Sequence, residues 1–291
     1  MKHAILIIAN KDLYVLNKLI ESVDYINNDI YLLLDKKSSI LNDDIIDTKY
    51  SKLYFVKRID IQWGSFSQIK AEMAVFKEAS KVGYDYYHLI SGQDLLIKKH
   101  DYFDSFFEKN NGKNFIAYCG KDWTRDAKNR IKYYYLTIGR SKFKSRLNKV
   151  FITVQKILHI NRNKKIDVYG GSNWVSLTDE AVRYLVDNEK KINKIFKHSY
   201  CADELFVHTM ILNSNLKDTI YYLNESEIQS NLDTTMYSAN QRYIDWNRGK
   251  PYTFKKDDFT SLIESDSVFA RKFDSSVDKE IIDLILDYIL K

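Results

Sequence analysis

Proline is almost missing: Pro251 stands alone in 291 residues, and glycine is sparse at nine. No proline- or glycine-rich tract marks a flexible linker, and no internal repeat or low-complexity stretch is visible, so the chain reads as one compact unit. Cysteine is scarce as well. Cys119 and Cys201 lie far apart without Cys-x-x-Cys spacing, which argues against a disulfide framework or a zinc site and for free thiols in a reducing compartment. Long apolar runs are lacking. The run from Ala4 to Ala9 follows Met1-Lys2-His3 and stops at Asn10-Lys11-Asp12. It is too brief for a membrane span and has no cleavage-like segment after it. A buried first strand explains it, and a cytoplasmic location is expected. Acidic residues vanish from Ala127 to Ile166.

What is present suits a globular enzyme. Apolar residues make up 45% and charged residues 29%, and the length is enough to bury a sizeable core in one large domain. The 22 tyrosines suit sugar stacking, although an AT-rich coding sequence would inflate tyrosine equally. A formal charge of +6 favours phosphates or anionic lipid surfaces. No nucleic-acid-binding signature accompanies it, so no nucleic-acid partner is expected.

Residues 3–9, 30–34, 53–57 and 86–90 are short runs rich in Ile, Leu, Val, Tyr and Phe, the pattern of buried strands. Between them Ser67 to Lys81 has helical spacing at Ile69, Met73, Phe76 and Ala79, with Gly83 placed to cap its end. This alternation predicts an α/β fold with a mostly parallel central sheet flanked by helices. Ligands of such sheets bind beyond the carboxyl ends of the strands, which points to Asp35-Lys36-Lys37 and to Ser91-Gly92-Gln93-Asp94. Further helices are expected at about 179–188, 203–214 and 277–290. The basic segment at about 140–165 holds Arg140, Lys142, Lys144, Arg146, Lys149 and Lys156 beside Phe143, Leu147, Val150, Phe151, Val154, Ile157 and Leu158. It predicts an amphipathic helix that either lies on an anionic membrane surface or packs one face on its own domain.

Four short segments go further. They are Leu89 to Lys98, Gly170-Gly171-Ser172-Asn173-Trp174, Ala202-Asp203-Glu204-Leu205-Phe206, and Arg242-Tyr243-Ile244-Asp245-Trp246 followed by Phe269-Ala270-Arg271-Lys272-Phe273-Asp274. In this order and spacing they resemble the core-2/I-branching β-1,6-N-acetylglucosaminyltransferase family, which includes the peptide O-xylosyltransferases, over about residues 3–275. The resemblance implies a GT-A-like glycosyltransferase fold in one domain, with a nucleotide-binding part at 1–118 and an acceptor-binding, catalytic part at 119–291. It implies an inverting enzyme that moves GlcNAc or another hexose from a UDP-sugar to a saccharide hydroxyl, with no cofactor and no metal.

The same resemblance implies residue roles. Glu204 is the general base. Arg242 and Lys272 stabilise the leaving diphosphate, and Arg271, which alternation on a strand would turn away, ranks below them. Asp35 and Lys37 bind the nucleoside with Ala9 or Asn10; the family histidine before Asp35 is missing here. Trp63-Gly64 matches a family Trp-Gly element. Trp63, Gly64, Gln93, Asp94, Gly171, Ser172, Asn173, Trp174 and Asp203 form the donor and acceptor pocket, in which Trp174 either stacks on an acceptor ring or fills core. The xylosyltransferase branch carries Asp where this chain has Asn173; an amide cannot act as a base, which puts the weight on Glu204. Structural readings stand beside these: acidic residues such as Asp203 and Glu204 are common at a helix start. The alternatives are a metal-dependent transferase using Asp94, or a non-catalytic carbohydrate- or membrane-binding module. A lipid-linked acceptor in exopolysaccharide or capsule synthesis, at the inner face of the cell membrane, would make use of the basic segment.

Overall fold

The four apolar runs become parallel strands, His3–Ala9 (β1), Asn28–Asp35 (β2), Leu53–Ile59 (β3) and Tyr86–Ser91 (β4). The computed structural model describes residues 1–119, 121–136, 141–221 and 237–291; Arg140 lies outside them. Asp94–Leu96 (β5) leaves the sheet, and Ser176–Thr178 (β6) joins it antiparallel to β4, giving the order β3-β2-β1-β4-β6. Arg242–Ile244 (β7) and Phe269–Arg271 (β8) form a second, smaller sheet with β5, in the order β5-β8-β7.

The helices are Leu13–Val23 (α1), Phe66–Ala79 (α2), His100–Lys109 (α3), Lys121–Lys132 (α4), Lys142–Ile157 (α5), Asp179–Asp187 (α6), Glu189–Phe196 (α7), Phe206–Leu212 (α8), Phe259–Glu264 (α9) and Glu280–Leu290 (α10). Successive strand side chains point to opposite faces, so β1 serves two cores. Ala4 and Leu6 pack with α2, α6 and α8, while Ile5 and Ile7 pack with α1, α10 and the second sheet. Fully removing one such Leu or Ile from water contributes roughly 1.5–3 kcal/mol.

Two boundaries differ from the sequence expectation, each with a local cause. Helix α2 starts at Phe66 because the Ser65 side chain accepts from the Ser67 N–H at 3.1 Å, and Gly83 lies beyond its end at φ +87°. The helix expected at 203–214 is shorter: Ala202 to Leu205 turn, and α8 starts only at Phe206. Asp203 and Glu204 therefore sit in a turn before the helix rather than in its first turn.

Candidate active site

The strand order reverses direction at β1, whose neighbours β2 and β4 are reached from opposite sides. Beyond this switch point a recess of about 180 Å³ is lined by Ala9, Asn10 and Lys11 after β1, Asp35 at the end of β2, and Ser91, Gly92 and Gln93 after β4. Gly92 is required there: a Cβ would stand 2.5 Å from that of Ala9. A second lobe of about 580 Å³, within the range of small-molecule sites, is lined by Gln68, Arg130, Ser172, Asn173, Asp203 and Glu204, and by all four tryptophans of the chain, Trp63, Trp123, Trp174 and Trp246. Trp174 and Arg271 line both lobes. Trp174 thus stands between them, half-buried against the core on one side and with the Arg271 guanidinium 5.0 Å from its ring.

Register explains Arg271. The β5–β8 pairing sets Asp94 opposite Arg271. Asp94, fully buried, accepts from Arg271 at 2.7 Å and from the Ser91 N–H and hydroxyl at 3.0 and 2.5 Å. Its carboxylate is committed to these donors, and the group that this strand pair turns to the cleft is a guanidinium. Lys272 lies just past β8, where alternation no longer applies. Burial holds its ammonium below the usual lysine range, and the nearby charges of Lys11 and Arg271 act in the same direction. Lys11 and Arg271 line the smaller lobe, Lys11 paired with Asp274 at 3.4 Å, whereas Lys272, expected from the sequence to stand with them, lines neither lobe.

Arg242 corrects the sequence reading. Instead of lining the cleft, it is 1% exposed and closes the junction of the two sheets. Its guanidinium donates to the carbonyls of Leu89 and Val175 at 3.2 and 2.8 Å, to the Ser176 hydroxyl at 2.8 Å, and to the Asn240 carbonyl. It also sits over the Phe269 ring. Burial lowers its pKa to about 9. Arg271, ranked below Arg242 from the sequence, holds the cleft position instead.

Lys37 also departs from expectation. It lines neither lobe, and its ammonium is held by Asp60 and the Ile61 carbonyl, both at 2.5 Å, and by Asp35 at 3.3 Å. Asp35 accepts from the Lys37 N–H at 2.9 Å and does line the smaller lobe. Gln93 bonds to the Phe273 backbone in both directions, tying the β4–β5 turn to the strand that brings Arg271.

Two carboxyls, Asp203 and Glu204, line the larger lobe, and a third, Glu72, is buried behind Asn173. Glu204 receives Arg130 at 2.5 Å on Oε2, and Arg130 lies over Trp123 at 5.1 Å. Asp203 accepts from Gln68 at 2.7 Å, and Glu72, one helical turn after Gln68 on α2, meets the Asn173 amide at 3.5 Å. Burial, reinforced by the charge of Glu204, lifts Asp203 to about 7. Burial also lifts Glu72 well above the ordinary carboxyl range, with Asp203 adding to it. Gly171 brings this floor together: its N–H donates to the Glu204 carbonyl at 2.9 Å, and a Cβ would stand 2.0 Å from the Ala117 carbonyl oxygen. Gly64 likewise holds Trp63 beside Tyr200, its carbonyl accepting from the Cys201 N–H at 2.8 Å.

Gln68, Glu72, Trp123 and Arg130 were not singled out by sequence reasoning. The only signal was two polar positions on the buried face of α2 and a lone arginine at the start of the acid-free stretch. Among the described residues no three His, Cys, Asp or Glu side chains come together as a candidate metal site.

The carboxyl group has a pH signature. A folded-state pKa raised above the unfolded value stabilises the fold at low pH, and this contribution is lost as pH rises from about 4 through about 7, at up to about 1.4 kcal/mol per pH unit per proton. Burial holds His3, His88 and His208 neutral, which acts in the opposite sense below about pH 6.5. The informative quantity is therefore a difference between proteins. Asp203→Asn is expected to gain Tm relative to the parent as pH rises from 4 to 7; parallel Tm curves would contradict the raised pKa.

The Core-2/I-Branching enzyme family model matches residues 4–263. The chain belongs to that family. Human xylosyltransferase 2 is 24% identical over 308 aligned positions, covering 98% of this chain and 33% of that protein. Xylosyltransferase sqv-6 of Caenorhabditis briggsae is 24% identical over 290, covering 91% and 34%. The chain spans about a third of the length of the curated relatives it matches. Among solved structures, the apo-form glycosyltransferase GlyE of Streptococcus pneumoniae TIGR4 is 13% identical at a TM-score of 0.27, covering 67% of this chain and 44% of that one.

Proposed function

We propose that this chain is an inverting glycosyltransferase that moves GlcNAc or another hexose from a UDP-sugar to a saccharide hydroxyl without a metal ion. The observation that carries the reading is the two-lobed cleft joined at Trp174 and Arg271, with Glu204 in one lobe and the carboxyl ends of β1, β2 and β4 around the other. Uridine takes the smaller lobe near Asp35, and the acceptor takes the tryptophan-lined lobe. As the acceptor oxygen attacks the anomeric carbon, Glu204 takes its proton, and the bond from that carbon to the diphosphate oxygen breaks with its electron pair. The charge that grows on UDP meets Arg271, which Asp94 and Ser91 hold in place so that it need not reorganise, with Lys11 in the same lobe and the charge of Lys272 adding to theirs. Arg130 orients Glu204 through Oε2 and leaves Oε1 for the proton. Asp94, held by Arg271, is not available as a metal ligand in this scheme.

The xylosyltransferase relatives put UDP-xylose on the donor panel; Asn173, in place of their aspartate, favours hexose transfer. A lipid-linked acceptor in exopolysaccharide or capsule synthesis, at the inner face of the cell membrane, belongs to the same reading. The test is a thermal-shift screen with UDP, UDP-GlcNAc, UDP-glucose, UDP-galactose and UDP-xylose, in Mn²⁺ and in EDTA. At a hundred times Kd a ligand stabilises by about 2.7 kcal/mol, or roughly 4–5 °C for a domain of this size. Equal shifts in Mn²⁺ and EDTA are expected. No shift with any uridine compound, or shifts only in Mn²⁺, would contradict the reading.

A further inference from the structure

Helix α5 reverses the usual arrangement of an amphipathic helix. At roughly 100° per residue, Phe143, Leu147, Val150, Val154, Ile157 and Leu158 fall in one stripe about 100° wide. All six are exposed, Phe143 and Ile157 to 69%. The face turned to the domain mixes half-buried Phe151 and Ile152 with two amides: that of Gln155, 1% exposed, bonds to both the N–H and the carbonyl of Tyr134 at 2.8 and 2.9 Å, and Asn148 accepts from the Leu136 N–H at 3.2 Å. A helix that simply packed on its own domain would bury this stripe rather than expose it. Lys142, Arg146, Lys149 and Lys156 flank the stripe on one side and Lys144 on the other, all exposed. No acidic residue occurs from Ala127 to Ile166.

We infer that this face of α5 is a docking surface for an anionic lipid bilayer, with the stripe in the acyl boundary and the basic residues among the headgroups. Charge complementarity selects this occupant. The stripe needs hydrocarbon and its flanks need anions along a 16-residue helix, and an anionic bilayer offers both along its whole length. A second copy would set one basic flank against another. The surface rests on α5 alone; its bearing on acceptor use rests on the proposed reaction. The Gln155 amide ties α5 to the Tyr134 backbone, two residues past α4, the helix that brings Trp123 and Arg130 to the larger lobe; Arg162, beyond the end of α5, adds bonds to the carbonyls of Tyr133 and of Ile195 on α7. Docking on α5 therefore fixes that lobe relative to the membrane.

The test is flotation of the full chain with phosphatidylcholine vesicles and with phosphatidylcholine–phosphatidylglycerol vesicles at 0.1 M salt. Binding to the anionic vesicles is expected to be at least tenfold stronger. The triple variant Lys142→Ala, Lys144→Ala, Arg146→Ala is expected to bind about a hundredfold more weakly, at about fivefold per charge. Phe143→Ser, Val150→Ser, Ile157→Ser, all at exposed positions, should weaken binding at least tenfold. Equal binding to neutral vesicles, unchanged binding of either variant, or a lipid-free dimer that the serine variant dissolves would overturn the inference. The UDP-induced Tm shift, measured on the same variants, should not change. Its loss in the parent protein too would count against the proposed reaction rather than against this surface.

Discussion

Glu204→Gln is expected to lower turnover by about 10²–10⁴-fold while leaving UDP affinity unchanged. That is the range a positioned general base contributes. Glutamine keeps the shape and an oxygen for Arg130, whose guanidinium meets Glu204 Oε2 at 2.5 Å, but it has no basic oxygen to take the acceptor proton. Loss of UDP binding together with turnover would mean that the substitution disturbed the cleft instead. Unchanged transfer would remove Glu204 from the mechanism and turn attention to Asp203, whose raised pKa of about 7 gives it the other proton-accepting carboxyl in the lobe.

Arg242→Ala should act on the fold. The substitution strands the carbonyls of Leu89, Val175 and Asn240 at the junction of the two sheets and empties the volume above Phe269. Orphaned buried acceptors and a large-to-small change in a fully enclosed site together cost about 3–5 kcal/mol, roughly 5–8 °C in Tm for a domain of this size. UDP affinity of the folded protein should change little. A variant with a parental Tm and lost UDP affinity would mean that Arg242 reaches the diphosphate after all. The contrasting variant is Arg271→Gln, at a residue that lines both lobes.

The pair of arginines shows where sequence reasoning stopped. The four parallel strands were legible as apolar runs and the helix at Phe66–Ala79 as a period, because burial on both faces of a sheet or on one face of a helix leaves a local pattern. Which side of a short strand faces a cleft is decided by its partners. Arg242 opens β7 and turns into the sheet junction, while Arg271 is opposite Asp94 because β5 and β8 pair in that register. Alternation predicts that neighbours diverge, and it ends where β8 ends, so it misplaced Arg271 relative to Lys272. The carboxyls Glu72 and Asp203 were similarly hidden: a polar residue on a buried helical face has no meaning until the turn carrying Asp203 is folded against it. For α5 the period gave the helix but not the side that faces the domain, since the spacing is the same whichever way the stripe points. The amides Asn148 and Gln155 hold that answer, through bonds to the Tyr134 and Leu136 backbone.

The most direct measurement is UDP release from the donor selected by the thermal-shift screen, with acceptor present and excess EDTA. If Arg271, Lys11 and Lys272 carry the leaving-group charge, the rate in EDTA equals the rate in Mn²⁺, and Arg271→Gln lowers both equally. A rate that disappears in EDTA and returns with Mn²⁺ would contradict it, and would mean that a cation does the work assigned here to the guanidinium.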